Sequence, residues 1–360
     1  MKKIRINRLL SLFFAGLILS TVFGCGAQGP ADTEKNSQVK EIQNENLEYF
    51  SLTETYQGSS GEWLSNVKCI LPNQKENTIN VHEVADSSQY PLTIYDKQNE
   101  VVYYSERVYV NDDYGDQLFC YDLKTQESVQ LTDNIYAINY IFPVKDYVYM
   151  LVAMQNTHYL TIVKYDLNTK ELSVFDREGV WTFNLLAYDI YSGKLYASAC
   201  DVKEEEAYTE AYNSRPEEEY DDKFTPPDYT IFEFDEDFYN PKKIMNTKNK
   251  YIRRMAATPD GKLFVTTADT LPNMDPEYES FYMDLKTLEI EKALNIDEVA
   301  NVSEYIYFLP NDFSRIYFIG SDPNSDSRAY GLCRYNINSQ KVEVLYTPDI
   351  GSVNNCFLMQ

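Results

Sequence analysis

Short runs of aromatic and β-branched residues recur along this chain, each separated from the next by a few polar residues. The same polar punctuation returns at several of the gaps: Tyr121-Asp122-Leu123-Lys124-Thr125, Tyr165-Asp166-Leu167-Asn168-Thr169, Asp284-Leu285-Lys286-Thr287, and more loosely Phe234-Asp235 and Tyr335-Asn336-Ile337-Asn338-Ser339. Each copy reads as a strand, a polar turn and a second strand. Aromatic residues fall at one place in each second strand, namely Tyr103, Tyr149, Tyr196, Phe264 and Tyr317, with spacings of 46, 47, 68 and 53. A self-similar period in the forties predicts an all-β β-propeller built of four-stranded antiparallel blades.

Five blades can be laid out directly. The first takes strands at 92–95, 101–105, 117–121 and 128–131, and the second at 138–142, 147–152, 160–165 and 172–175. The third takes 183–188, 195–200, 230–234 and 242–245, the fourth 252–257, 263–267, 280–284 and 289–293, and the fifth 305–309, 316–319, 330–335 and 342–346. Within each blade the strands are A to D from the channel outwards. The long third spacing reflects an insertion at 203–227 between strands B and C. Val353 to Leu358 then reads as an A strand whose partners are supplied from the other end, by 47–52, 63–70 and 78–84. Six blades closed in this way leave no exposed ring edge, which removes an aggregation hazard. The competing reading is a chain cut short at Phe357-Leu358-Met359-Gln360.

Residues 1–24 have the form of a signal peptide: Lys2, Lys3, Arg5 and Arg8 precede an apolar stretch from Leu9 to Leu19, and Val22-Phe23-Gly24-Cys25 follows. That last tetrad resembles the lipobox of bacterial lipoproteins, which implies cleavage before Cys25 and lipidation of its thiol. Residues 25–46 are expected to be the lipidated cysteine and a flexible tether, because only Val39 and Ile42 are large and apolar there. Residues 47–360 form the propeller.

Net charge is -24, and removal of four basic residues with the leader takes it to -28, from 28 Lys+Arg against 56 Asp+Glu. So acidic a surface repels phosphate backbones and anionic headgroups, which argues against nucleic acid and leaves the lipid as the membrane contact. Apart from Cys25, the cysteines are Cys69, Cys120, Cys200, Cys333 and Cys356, an odd number scattered through strand-like runs, so no disulfide framework is expected. The two histidines, His82 and His158, lie far apart, and no Cys/His cluster has zinc spacing.

Thr258-Pro259-Asp260-Gly261-Lys262-Leu263-Phe264 resembles the Ser-Pro-Asp-Gly turn and strand of TolB-like propellers and of the propellers of prolyl oligopeptidases; Tyr191-Ser192-Gly193-Lys194-Leu195-Tyr196 is a weaker copy. The resemblance implies a TolB-like six-bladed propeller over roughly 47–360, on a bacterial envelope lipoprotein. Lys-, Asn- and Tyr-rich composition points to a Gram-positive source. No peptidase domain follows, which sets the expectation against a prolyl oligopeptidase.

The B–C and D–A connections share one face of a propeller, and ligands usually meet that face. The B–C connections here are expected at 111–116, 155–158, 203–227, 269–279 and 322–328. The longest holds nine acids against Lys203, Arg215 and Lys223, with Tyr208, Tyr212, Tyr220 and Phe224 interleaved. It suits a cationic or sugar-like partner, and its bland alternative is a solvated loop. Tyr136, Trp181, Arg253 and Arg254 lie at the mouth ends of A strands. The arginines read either as a carboxylate or phosphate fork or as salt bridges to a neighbouring blade, and Trp181 either stacks on a sugar or wedges between blades. His158 has no partner visible in the sequence. Asp322, Asn324 and Asp326 alternate as calcium ligands do, without the glycine and closing glutamate of a calcium loop. Calcium is therefore the one cofactor weighed, and none is predicted.

Catalytic signatures are missing. Gly58-Ser59-Ser60-Gly61 has the wrong spacing for a nucleophile elbow, and no C–D turn carries a sialidase Asp box. The expected function is a monomeric, membrane-anchored binding or scaffolding module at the cell surface, partnered by a glycan, a cationic peptide or an envelope protein. The alternative is a propeller enzyme: a glycan-acting hydrolase or lyase, or a metal-dependent lactonase-like hydrolase. Among 56 acids too many carboxylate pairs exist to choose one.

Overall fold

A computed structural model describes residues 48–72, 78–86, 91–110, 113–176, 178–216, 224–235, 238–270, 276–310, 312–321 and 330–360. Cys25, Tyr220, Asp322, Asn324 and Asp326 lie outside the described residues, as do the leader and the tether.

The chain forms six four-stranded antiparallel sheets arranged as propeller blades. The N-terminal strands are β1 (Tyr49–Gln57), β2 (Trp63–Ile70) and β3 (Thr78–Asp86). Blade one is β4 (Thr93–Asp96), β5 (Val101–Val110), β6 (Asp113–Asp122) and β7 (Glu127–Gln130); blade two is β8 (Ile135–Val144), β9 (Tyr147–Met154), β10 (Leu160–Asp166) and β11 (Leu172–Val174). Blade three is β12 (Trp181–Tyr188), β13 (Leu195–Asp201), β14 (Tyr229–Phe234) and β15 (Lys242–Thr247), with helix α1 (Val202–Asn213) between β13 and β14. Blade four is β16 (Tyr251–Ala257), β17 (Lys262–Ala268), β18 (Tyr278–Asp284) and β19 (Ile290–Lys292); blade five is β20 (Asn301–Tyr307), β21 (Arg315–Ser321), β22 (Gly331–Asn336) and β23 (Lys341–Tyr346). The last strand, β24 (Ser352–Met359), completes blade six in the order β24-β1-β2-β3, so the ring is closed by one C-terminal and three N-terminal strands.

The recurrent Tyr-Asp-Leu-x-Thr turn has a direct physical cause. Oδ1 of Asp122 accepts from the N–H groups of Lys124 and Thr125 at 2.7 and 2.9 Å, Asp166 from Asn168 and Thr169 at 2.8 and 2.9 Å, and Asp284 from Lys286 and Thr287, both at 2.8 Å. Each carboxylate thus replaces a strand partner at the bend between strands C and D, and the donors hold its pKa below the usual range. The residue after the motif turns into the left-handed region, with φ of 61° at Gln126 and Lys170 and 60° at Leu288.

Two expected loops are regular structure instead. The B–C connection of blade one is a hairpin whose strands continue to Val110 and from Asp113, because Arg107-Val108-Tyr109-Val110 keeps the alternation of a strand. The first half of the 203–227 insertion is α1. Asp201 caps it, accepting from the N–H of Lys203 and Glu204, and the acids Glu204 and Glu205 in its first turn favour the positive helix end.

Five of the six innermost strands carry a bulge, which leaves an unpaired residue in the A strand. These residues are Tyr136 and Asn139 in β8, Asn184 in β12, Arg253 in β16, the segment 303–305 in β20 and Asn354 in β24. Strand β4 has none. Its N–H groups are met by blade six: Thr93 donates to Oγ1 of Thr53 at 3.1 Å, and Tyr95 to Oγ of Ser51 at 2.9 Å.

Candidate functional site

The bulges shape a cavity of about 100 Å³ in the channel, bordered by Asn139 and Asn184 and by the rings of Tyr140, Tyr188, Tyr305 and Tyr307. The Asn184 amide donates to the carbonyl of Ile252 at 2.9 Å. Among the described residues, the side-chain carbonyl oxygens of both asparagines are buried without a hydrogen-bond partner. The cavity is therefore lined by aromatic and aliphatic side chains, with the two unmatched asparagine oxygens among its polar groups.

On the B–C face, the β5–β6 hairpin stands against the beginning of β8. Gly115 makes this possible, since a Cβ there would lie 2.2 Å from the carbonyl oxygen of Ile135. The buried amide of Gln117 grips the backbone of the same residue on both sides: its Nε2 donates to the Ile135 oxygen at 2.6 Å, and its Oε1 accepts from the Ile135 N–H at 3.3 Å and from the Thr132 hydroxyl at 2.9 Å. Held this way, the hairpin presents Tyr109 and Tyr114, which face each other in register with ring centroids 5.1 Å apart. Both rings are more than half exposed, at 61% and 53%, so they are not there to fill a core. The Arg107 guanidinium lies 5.4 Å from the Tyr114 ring. On the adjacent B–C hairpin, of blade six, Trp63 is also exposed.

Helix α1 lies on the same face over blade three. Under it, the Cys200 thiol donates to Glu205 at 3.7 Å, and the Thr209 hydroxyl donates to the same carboxyl at 3.4 Å. Burial raises the pKa of Glu205, and burial together with the Glu205 charge raises that of Cys200. Cys200 is thus held as a thiol, the opposite of what a nucleophile needs. His158, in the B–C connection of blade two, pairs with Glu206 of α1 at 2.6 Å, a partner 48 residues away that no local pattern announces.

The remaining sequence candidates are dispersed. Arg254 is buried in blade four, with its guanidinium spent on blade five and the turn before it. Nη1 and Nη2 donate to the two carboxylate oxygens of Asp297 at 2.6 and 2.9 Å, Nη2 also to the Val302 carbonyl at 2.7 Å, and Nε to the Ser303 carbonyl. The geometry is that of a salt bridge between blades rather than an open fork. Arg253, bulged beside it, bonds with the Tyr278 side chain. Trp181 is half-buried edge-on against Phe232, with Lys243 Nζ 4.5 Å from its ring, so it packs on its own blade. Tyr136 is half-buried at the start of β8, and Tyr212 sits on α1. Among the described residues no three His, Cys, Asp or Glu side chains form a metal-binding group. Sequence reasoning missed Asn139, Asn184, Tyr109, Tyr114 and Trp63. The asparagines signalled themselves as lone amides inside apolar A strands, and the tyrosines by continuing an alternation past the expected strand end.

The fold is that of TolB-like six-bladed propellers. The chain is similar to TolB from Acinetobacter baumannii, with a TM-score of 0.54 and 12% identity over 86% of this chain and 66% of that one. It is also similar to a chain of a nidogen/laminin complex, with a TM-score of 0.48 and 10% identity over 86% of this chain and 98% of that one. A third similarity is to the propeller domain of the Trilobed protease from Pyrococcus furiosus, with a TM-score of 0.48 and 9% identity over 84% and 86%. At 12% identity the likeness to TolB bears on the fold and on nothing beyond it. No protein-family model and no curated protein matches the chain.

Proposed function

We propose that this protein is a binding module of a bacterial envelope, tethered to the membrane by lipid on Cys25, whose partner docks on the face that carries the B–C hairpins and α1. The observation that supports the reading best is the Tyr109–Tyr114 pair, exposed yet set on a hairpin that Gly115 and Gln117 fix against β8. Large exposed aromatics on a rigid support are common at recognition surfaces, because little conformational entropy remains to be lost on binding. Trp63 on the neighbouring hairpin and the acids of α1 extend the same face, which suits a glycan or a basic peptide.

Two measurements test this. Thermal melting of the full-length protein against a panel of envelope glycans and basic peptides should give at least one ligand that raises the melting temperature, and Tyr109→Ala/Tyr114→Ala should abolish that shift. A shift that survives the double substitution removes the hairpin from the binding site. For the anchor, Cys25→Ala should release the protein from the membrane fraction or leave it unprocessed. Recovery in the membrane at the processed size overturns the lipid assignment.

A further inference from the structure

The α1 insertion builds a corner of aromatic rings on the B–C face, and a cation of the same chain already sits in it. Tyr208 and Tyr212 are four residues apart on α1, so their rings share one helix side, with centroids 6.4 Å apart. Phe224, on the segment returning from the insertion, forms the other wall, 5.0 Å from Tyr208 and 6.0 Å from Tyr212. This wall is fixed to blade four by Thr270, just beyond β17. The Phe224 N–H donates to the Thr270 Oγ1 at 3.2 Å, and that hydroxyl lies 3.1 Å from the Phe224 carbonyl oxygen, to which it can donate in turn.

The guanidinium carbon of Arg215 lies 4.2 Å from the centroid of Tyr212 and 4.9 Å from that of Phe224, inside the range of a cation–π contact. Tyr212 and Phe224 meet at 68°, a corner that takes a flat cation rather than the single open platform on which a sugar ring stacks. Tyr212, Arg215 and Phe224 are only partly buried, so their side of the corner reaches solvent, while the Tyr208 hydroxyl at its back is buried. The surrounding field also favours a cation: α1 carries Glu204, Glu205, Glu206 and Glu210, and its last turn holds no basic residue.

We propose that Tyr208, Tyr212 and Phe224 form the recognition site for an arginine side chain of a basic partner segment, and that Arg215 is an internal stand-in which the partner displaces. Arginine is favoured over lysine because a guanidinium is planar and weakly hydrated, and so stacks on rings with less desolvation. The proposal rests on the reading that this face binds a partner, and it assigns the partner's chemistry.

The test titrates full-length protein with N-acetyl-arginine amide, using N-acetyl-lysine amide and chitotriose as comparators, by isothermal calorimetry. Arg215→Gln removes the internal competitor and should tighten binding of the arginine probe about fivefold or more, since a site occupied by its own chain shows reduced apparent affinity. Arg215→Gln/Tyr212→Leu and Arg215→Gln/Phe224→Leu should lose that gain. Arg215→Lys, which keeps the charge but stacks less well, should gain less than Arg215→Gln. No gain in Arg215→Gln, a gain that persists without Tyr212 and Phe224, or tighter binding of chitotriose than of the arginine probe each overturn the proposal. Failure of both Arg215 variants to fold does so as well, by making the arginine a structural staple. A flat arginine titration beside a ligand shift that depends on Tyr109 and Tyr114 sinks the cage and leaves the binding face standing. A strong arginine response without any such shift leaves the cage standing and removes the Tyr109–Tyr114 hairpin from the binding site.

Discussion

The hydroxyl of Thr53 donates to Oδ1 of Asn355 at 2.7 Å, across 302 residues of chain. Both side chains are buried, and they join the first described strand to the last one inside blade six. The Asn355 amide also donates to the carbonyl of Pro91 at 3.0 Å, so one side chain ties the closing strand to the start of blade one. Around it, Phe50 pairs with Leu358 and Leu52 with Cys356, and Glu54 is met by Tyr346 of blade five at 2.6 Å and by Lys68 at 3.2 Å.

Asn355→Leu therefore takes the donor from the part-buried Pro91 carbonyl and removes one acceptor of the buried Thr53 hydroxyl, which keeps the Thr93 carbonyl at 3.1 Å. The loss is about 1–3 kcal/mol, and the melting temperature should fall accordingly. Removal of 352–360 should be far worse, exposing the edge of β1 and producing aggregates in size-exclusion chromatography. A soluble, monomeric truncation with an unchanged melting temperature contradicts closure by β24.

Arg254→Met leaves Asp297 without its cation and takes donors from the Val302 and Ser303 carbonyls. Removing one partner of a buried pair costs about 3–5 kcal/mol, so chemical denaturation should show a large loss of stability. Arg254→Lys should recover little of it, because an ammonium cannot serve both oxygens of Asp297 together with two carbonyls. Near-native stability of the lysine variant would show that the fork geometry is not what holds blades four and five together.

Blade order and ring closure were legible because they rest on local signals that repeat: alternation in the strands and the aspartate turn between strands C and D. Asp201 followed three residues later by Glu204 announces a helix start, but nine acids in the insertion read as a loop, and that hid α1. The candidate site was legible only as a face. Pairings such as His158 with Glu206, or Gln117 with the backbone of Ile135, depend on how one blade sits on the next, which no short-range pattern encodes. The bulges at Asn139 and Asn184 could have been suspected from their polarity, though not their unmatched oxygens.

His82 of β3 stacks on Tyr121 of β6 at 3.8 Å, at the seam between blades six and one. Burial lowers its pKa from 6.5, so the folded protein keeps it neutral at a pH where the unfolded chain protonates it. The unfolded state then binds more protons, and stability falls as pH drops below 6.5 towards the depressed folded value. Melting curves between neutral and mildly acid pH should show a steeper acid loss for the wild type than for His82→Phe, which keeps the stack and cannot titrate. Parallel curves for the two proteins contradict a neutral, half-buried histidine at this seam.

The α1 insertion should be separable from the fold. Its ends, Val202 and Asp228, join neighbouring strands of one blade, and β13 already pairs with β14 from Ala199 opposite Thr230. Closure entropy changes only as the logarithm of loop length, so replacing 203–227 with about five Gly/Ser residues alters stability by roughly 1–2 kcal/mol. The change also removes Glu205, a carboxyl whose burial disfavours its charge, which offsets part of the lost packing. The melting temperature should move by no more than about 5 °C. What must change is Cys200: its thiol is buried and pushed above its ordinary pKa by burial and by Glu205 of the helix above it. In the shortened protein one additional thiol should react with Ellman's reagent under native conditions, while Cys69, Cys333 and Cys356, buried elsewhere in the propeller, stay silent. Loss of cooperative folding would mean that α1 belongs to the core of blade three. An unchanged thiol count would mean that the helix is not what covers Cys200.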